Sequence, residues 1–577
     1  FSRKLKSITI TPEMKACFDS KEDRLTPNDL INRLLKAPVD LIWNGGIGTY
    51  VKASTETHAD VGDKSNDALR INGNELRCRV FGEGGNLGLS QLGRIEYSLN
   101  GGACNTDFID NSAGVDCSDH EVNIKILLNS IIANGDMTEK QRNKLLAEMT
   151  DTVAELVLTN NYRQTQAISL AEYQVVPRIG EYRRFITTME AEGRLNRALE
   201  FIPEDDVLLE RQTQGKSLTR PELAVMVSYA KVALKEKLAA SDDLINDPYM
   251  VKAVEIPFPP VLRKQYKKQI YQHHLLREIV ATQVANDMVN NMGITFCHRL
   301  MDTTGASAAQ VGKAYVTARD IYMLDPCWRQ VEALDFKVPA ELQIQLISYI
   351  MRRVRRGTRW FLRNRRSQLL PAEEIAAFGP CIQQVIAALP EIMRGAPRVE
   401  WENECNRLRE YGVPEDLLVN VAIPTNLYSG LGMVEAARQS GADPVKVAEV
   451  YILLGERLGL YWFANQISEV KVGSYWQAQA REAFMDDLES QMRSLAVCLM
   501  RLARPDQPIE EVIEHWVEQQ RGLVERWKAM INELQGASGT DFAMFSVALR
   551  ELLDLAQNSQ LCKALDDGGA DVCLTGT

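Results

Sequence analysis

From about residue 118 onward, apolar positions recur at three- and four-residue spacing. Before it, short apolar runs alternate with turns rich in glycine, proline and asparagine. The first pattern predicts amphipathic helices, the second short buried strands joined by turns. Helices are predicted over Met137 to Leu158, Pro221 to Ala240, Gln265 to Met292, Pro339 to Leu362 and Pro508 to Leu534. In the last, Ile513, Trp516, Gln520, Leu523, Trp527, Met530 and Leu534 make one stripe, which reads as core packing. Thr219-x-x-Glu222 is a capping box opening the second. Breaks rich in Pro, Gly or Asp fall near 203–219, 241–260, 378–397 and 535–541, and the small, polar tail beyond Gly568 is expected to fray.

In the N-terminal part, Thr11-Pro12-Glu13 and Thr26-Pro27-Asn28-Asp29 read as helix starts, with Thr as cap and Pro in the first turn. Pro38 ends the second helix near Ala37. Val39 to Trp43 is predicted as a short buried strand delivering Asn44-Gly45-Gly46, with a short helix over Asn66 to Arg70. A second strand over Leu76 to Phe81, a helix from Ser90 to Leu99 and a last strand near Phe108-Ile109 complete an α/β pattern. The expected fold class is therefore α/β plus all-α. It comprises the C-terminal half of a doubly wound, Rossmann-like cofactor domain (residues 1–130), followed by a large helical region (131–577). The usual G-x-G-x-x-G turn of the first half is not in the chain.

Gly82, Gly84, Gly85, Asn86 and Gly88 sit where the second strand gives way to a turn, and Asn111-Ser112-Ala113-Gly114-Val115 opens a helix. Glycines there allow close approach of a ligand to backbone amides, or simply tight turns, and the pattern leaves both readings open.

Composition narrows the classes. The 577 residues carry a net charge of −11, which argues against a generic polyanion binder. Eleven scattered cysteines without a C-x-x-C pair read as reduced, cytosolic thiols, so a cytoplasmic location is expected. The six histidines show no metal-ligand spacing, and no run is expected to span a membrane. The chain begins at Phe1 without an apolar signal core and reads as an internal piece of a longer polypeptide.

Asp107, Asp110, Asp116, Asp119, His120 and Glu121 cluster, but Ser118-Asp119-His120-Glu121 reads as a capping box with acids at the positive end of a helix, not as a metal site. Ser118 lacks a nucleophile's base, because His120 should point away from it. The arginines from Arg352 to Arg366, interleaved with Trp360 and Phe361, read as a helix meeting acidic neighbouring domains or subunits rather than nucleic acid. Lys52 lacks the context of a phosphate-binding loop.

Glu83-Gly84-Gly85-Asn86, Asn111-Ser112-Ala113-Gly114-Val115-Asp116-Cys117-Ser118 and Trp43-Asn44-Gly45-Gly46-Ile47-Gly48-Thr49-Tyr50 resemble motifs of glutamate dehydrogenases, most closely the very large NAD-dependent bacterial type. Ordinary members are resembled over about the first quarter of the chain, and they have Pro where Gly88 stands. The resemblance implies oxidative deamination of L-glutamate to 2-oxoglutarate and ammonia, with NAD as cofactor. It assigns Asn44, Gly45, Gly84 and Asn86 to the nicotinamide-side cleft, and Gly114, Val115 and Ser118 to the substrate end. The family's catalytic lysine and aspartate match nothing here, so no catalytic residue is expected in this chain and the upstream part of the polypeptide should supply them. A homo-oligomer without metal, nucleic acid or membrane partner is expected. The rival is a noncatalytic helical module serving interaction or oligomerisation.

Overall fold

The computed structural model describes residues 1–366, 368–423, 430–504, 507–537, 539 and 541–566. The tail beyond Gly568 lies outside the described residues. The chain divides into two compact units, Phe1–Arg299 and Leu300–Thr577.

The first unit is α/β at its N-terminal end and helical afterwards. Six short strands make three separate pairs rather than one continuous sheet. β1 (Ile8–Thr9) pairs antiparallel with β2 (Arg24–Leu25), β3 (Leu41–Asn44) runs parallel to β6 (Val80–Glu83), and β4 (Val51–Lys52) runs parallel to β5 (Ile71–Asn72). Isolated parallel bridges from Val51 to Leu89 and from Val80 to Ala103 extend the pairing. Beneath it Val51, Ile71, Leu76, Cys78, Phe81, Leu89, Tyr97 and Cys104 form a buried cluster. The Tyr97 hydroxyl donates to the Cys78 carbonyl at 2.9 Å.

Several predicted elements form where local chemistry placed them. The helices Pro12–Phe18, Pro27–Leu35 and Gln91–Leu99 start behind Thr11, Thr26 and Ser90, whose side chains accept backbone amides of the first turn. The Arg220–Ala239 helix opens with the Thr219–Glu222 capping box, and buried Glu222 also accepts from Arg211 at 2.8 Å.

Others are corrected. The expected strand at Phe108-Ile109 is a short helix, Asp107–Asp110, because Thr106 and the first-turn acids suit a helix start; the segment bridging Val80 is Ala103. The second strand is displaced to Val80–Glu83, since Gly73–Glu75 forms a 3₁₀ turn closed by the reciprocal Asn72–Glu75 box. The Asn66 to Arg70 helix is instead the 3₁₀ turn Lys64–Asn66. Three long predicted helices are each broken: at Met149, at Gln520, and across residues 271–275.

In the second unit every described element is helical. Ile513, Trp516, Trp527 and Leu534 are buried as their stripe predicts, and the two indoles donate to Ser559 Oγ and the Leu458 carbonyl. The arginine-rich helix, Ala340–Asn364, meets acids of its own unit: Arg359 pairs with Glu482 and Asp486, Arg363 with Asp486, and Arg365 with Glu374 and Glu435. The expectation that no run could span a membrane needs correction. By length and composition the helix Pro371–Ile392 could; it contains Pro380 and Pro390 and buries Phe378, Ile382, Val385 and Leu389 within the unit.

Candidate functional site

β3 and β6 lie in register, Asn44 opposite Glu83, so both release their turns at the same carboxyl end, where open α/β sheets receive ligands. The two turns touch. The Gly85 amide donates to the Asn44 carbonyl at 2.9 Å, and a Cβ on Gly85 would stand 2.3 Å from the Gly46 carbonyl oxygen. A Cβ on Gly88 would meet Asn44 Nδ2 at 2.2 Å. The Trp43 ring, 58% exposed, lies across Gly82 and Gly84, where a Cβ would approach it to 2.5 and 2.7 Å. Packing of one turn against the other therefore accounts for the glycines at 82, 84, 85 and 88. Gly45 and Gly46 have no such requirement: both are exposed, and nothing stands closer than 3.8 Å to a Cβ at either.

A buried charge network holds this edge. Glu83, fully buried, accepts from Arg94 Nε at 2.7 Å and Nη2 at 2.9 Å, and also from the Leu89 amide at 3.0 Å. Arg94 Nη2 lies 3.3 Å from Asp107, whose other oxygen accepts the Leu87 amide at 2.8 Å. Leu87 has φ 57°, a left-handed conformation fixed by that bond. Asp110 accepts the Glu83 amide at 2.9 Å and Asn105 Nδ2 at 2.9 Å. Burial pushes the Glu83 and Asp110 carboxyls above their ordinary range, against the pull of Arg94 on the first and of Asn105 on the second.

The residues expected at the substrate end sit on the helix Ala113–Ala133, which opens within the 111–115 block as read and not at the expected Ser118 capping box. Ser118 is not a cap; it lies in the second turn. The helix begins six residues before that box would start it, because distant partners hold its first turn. Asn161 Nδ2 donates to Ser112 Oγ at 2.8 Å and Asn160 Nδ2 to Asp116 at 2.9 Å. Gly114, Val115 and Ser118 consequently share one exposed face, with Val115 69% exposed and open space around Gly114. His120 is buried on the opposite face against the Pro257 carbonyl at 2.8 Å, so it turns away from Ser118 as expected. Nearby, burial lowers the Lys231 amine to about 8, against the opposing charge of Asp116.

One bond brings the two motifs together: Asn111 Nδ2 donates to Asn86 Oδ1 at 2.6 Å. At the same strand end, Asn44 Nδ2 is buried without a hydrogen-bond partner, as is Thr106 Oγ1. Of the acidic cluster, Asp107, Asp110, Asp116 and Glu121 are engaged with protein groups, and no group of three or more His, Cys, Asp or Glu among the described residues could hold a metal. Lys52 is buried and spent on Asn72 Oδ1 at 2.6 Å and the Ala53 carbonyl. Sequence reasoning missed Arg94, Asp107 and Asp110 as the residues that shape the turn. Arg94 at the i+4 position from the Ser90 cap was the available hint, since it faces back toward the strand.

Residues 1–171 match the family described as Bacterial NAD-glutamate dehydrogenase, catalytic domain, and residues 215–554 match Glutamate dehydrogenase, C-terminal. An NAD-specific glutamate dehydrogenase of Pseudomonas aeruginosa is 53% identical over 561 residues, 97% of this chain and 34% of the relative. The protein of that name from Halomonas elongata is 49% identical, with 97% of this chain and 34% of the relative covered. The one from Mycobacterium tuberculosis is 35% identical, with 97% and 35% covered. The chain thus spans about a third of the length of these relatives. With its two motifs joined at one strand end, the chain belongs to the family of large bacterial NAD-specific glutamate dehydrogenases.

Proposed function

We propose that this chain supplies the nicotinamide-side turn and the substrate-end helix of an NAD-dependent oxidation of L-glutamate to 2-oxoglutarate and ammonia. The observation that carries the reading is the Asn86–Asn111 bond, which puts the cofactor-motif turn beside the helix bearing Gly114, Val115 and Ser118. Three features fit NAD. Asn44 offers a buried, unpartnered amide N–H₂, Gly45 and Gly46 offer exposed backbone, and Asn86 Nδ2 is left over once its oxygen has accepted from Asn111. The first turn of the Ala113–Ala133 helix presents positive potential to the substrate's side-chain carboxylate, with Ser118 on the same face. NAD supplies the hydride acceptor, and the chain's residues orient the two reactants. On this reading the β3–β6 pair is part of a doubly wound cofactor domain in a cytoplasmic homo-oligomer. The 577-residue chain alone, having no lysine placed for catalysis in its glycine turns, does not turn over.

The test is NADH formation followed by absorbance, using the full-length polypeptide with L-glutamate and with L-alanine or L-aspartate as competitors. Glutamate-dependent reduction of NAD is expected, and it should be lost in the 577-residue chain. Equal rates with all three amino acids would overturn the substrate assignment, and turnover by the 577-residue chain would overturn the division of labour.

A further inference from the structure

Arg220 stands at the first position of the Arg220–Ala239 helix, within the segment that matches the C-terminal family, yet its guanidinium reaches into the segment that matches the catalytic domain. Its Nη2 and Nε donate to Asn105 Oδ1 at 3.0 and 3.3 Å. Nη1 donates to Ser169 Oγ at 3.0 Å and to Glu172 at 2.8 Å. Asn105 uses its oxygen on Arg220 and its amide on Asp110 Oδ1 at 2.9 Å, so its side chain can take only one orientation. The other oxygen of Asp110 receives the Glu83 amide at 2.9 Å, the residue directly before Gly84. A chain of four groups thus runs from a helix of the C-terminal region to the backbone at the mouth of the nicotinamide-side turn. Two neighbouring contacts fasten the same helix start to the Gln91–Leu99 helix: Gln91 Nε2 to the Pro221 carbonyl at 3.4 Å and Lys216 Nζ to the Leu99 carbonyl at 3.1 Å.

The Arg220 side chain is 16% exposed, and Asp110 is partly buried with its carboxyl raised by that burial. A buried carboxylate that holds a backbone amide needs its other oxygen satisfied, or it leaves the amide. Asn105 does this in the orientation that Arg220, by occupying its carbonyl, holds it in. Sequence gave no sign of the link, since Arg220 and Asn105 are 115 positions apart.

We propose that Arg220 is a positioning residue, through which the C-terminal helical region fixes the Glu83–Asn86 turn and so sets the affinity of the site for NAD. The inference rests on the reading under Proposed function for the identity of the ligand, but not for the relay itself. It gives the helical region a role in cofactor binding that neither family assignment states.

The experiment compares Arg220→Gln, Arg220→Lys, Asn105→Ala and Glu172→Gln in the full-length polypeptide. NADH dissociation constants are measured by fluorescence, and amide exchange is measured over residues 80–90. Arg220→Gln should weaken NADH by about two- to thirty-fold, the range usual for residues that touch neither ligand but couple to the site. It should also speed exchange at Glu83 and Leu87. Arg220→Lys should recover part of the affinity. Asn105→Ala should match Arg220→Gln, and the double variant should add nothing further. Glu172→Gln, which removes only the outward arm, should change neither readout. Should Arg220→Gln fail to fold, Asn105→Ala tests the same link with Arg220 still bonded to Ser169 and Glu172. The inference is overturned if Arg220→Gln alters exchange over 80–90 no more than Glu172→Gln does, or if the Arg220 and Asn105 effects add. A wild-type protein that binds no NADH would sink the NAD reading alone, and the exchange measurement would still decide the relay.

Discussion

Removal of Arg94 should unhinge the β6 turn. Its side chain is 5% exposed and donates two bonds to the fully buried Glu83, lies 3.3 Å from Asp107 and donates to Gln91 at 3.2 Å. Arg94→Met leaves the Glu83 carboxylate buried with only the Leu89 amide as donor. Breaking one side of a buried pair typically costs about 3–5 kcal/mol, far above the 0–1 kcal/mol of an exposed pair. Adding Glu83→Gln removes the stranded charge while keeping an oxygen for the Leu89 amide, so the double variant should regain at least half of the loss. Trp43 reports the event locally: it lies over Gly82 and Gly84, and the other seven tryptophans all fall in the second unit. Urea titration of the Trp43 signal, isolated by difference against Trp43→Phe, gives the free energies. The reasoning is refuted if Arg94→Met costs less than about 1 kcal/mol, or if the double variant is no better than the single.

Other consequences follow from the same geometry. Asn86→Ala in the full-length polypeptide should weaken NAD several-fold, the loss of one hydrogen bond of about 0.5–1.5 kcal/mol, with glutamate affinity at saturating NAD moving less. Since Ser118 is not a cap, Ser118→Ala should leave the melting temperature unchanged, while Ser118→Asp should raise the KM for glutamate by charge repulsion; a normal KM in that variant removes Ser118 from the substrate end. His273 is buried, accepts the Leu275 amide on Nδ1 and meets the Asn123 carbonyl through Nε2, and burial holds its pKa below the ordinary value. The unfolded chain therefore takes up its proton first as pH drops below about 6.5, and stability should fall with a slope of up to about 1.4 kcal/mol per pH unit from this group. Urea titrations of wild type and His273→Gln across that range check it, and identical slopes would refute it.

How much was legible in the sequence depended on how local the determinant was. The caps at Thr11, Thr26 and Thr219 act within a few residues and form as read, and Trp516 and Trp527 are buried as their stripe predicts although the helix carrying them breaks at Gln520. The start of the Ala113–Ala133 helix is set instead by Asn160 and Asn161 from another helix, and that tertiary hold overrode a good local capping box at Ser118. The glycine block was ambiguous because two demands produce the same residue. Trp43 and Gly46 explain Gly82, Gly84 and Gly85 by packing, which no spacing rule reveals. The Glu83–Arg94 pair was hidden for a related reason: its partners belong to different elements, and only the fold makes them neighbours.

The central claim is that the cofactor lies at the joined carboxyl ends of β3 and β6. Amide hydrogen exchange of the full-length polypeptide, with and without saturating NADH, tests it most directly. The account predicts slowed exchange confined mainly to residues 41–50 and 80–90, with a smaller effect across 111–118 that grows when 2-oxoglutarate is added. Protection by NADH elsewhere in the polypeptide, with 41–50 and 80–90 unchanged, would contradict it.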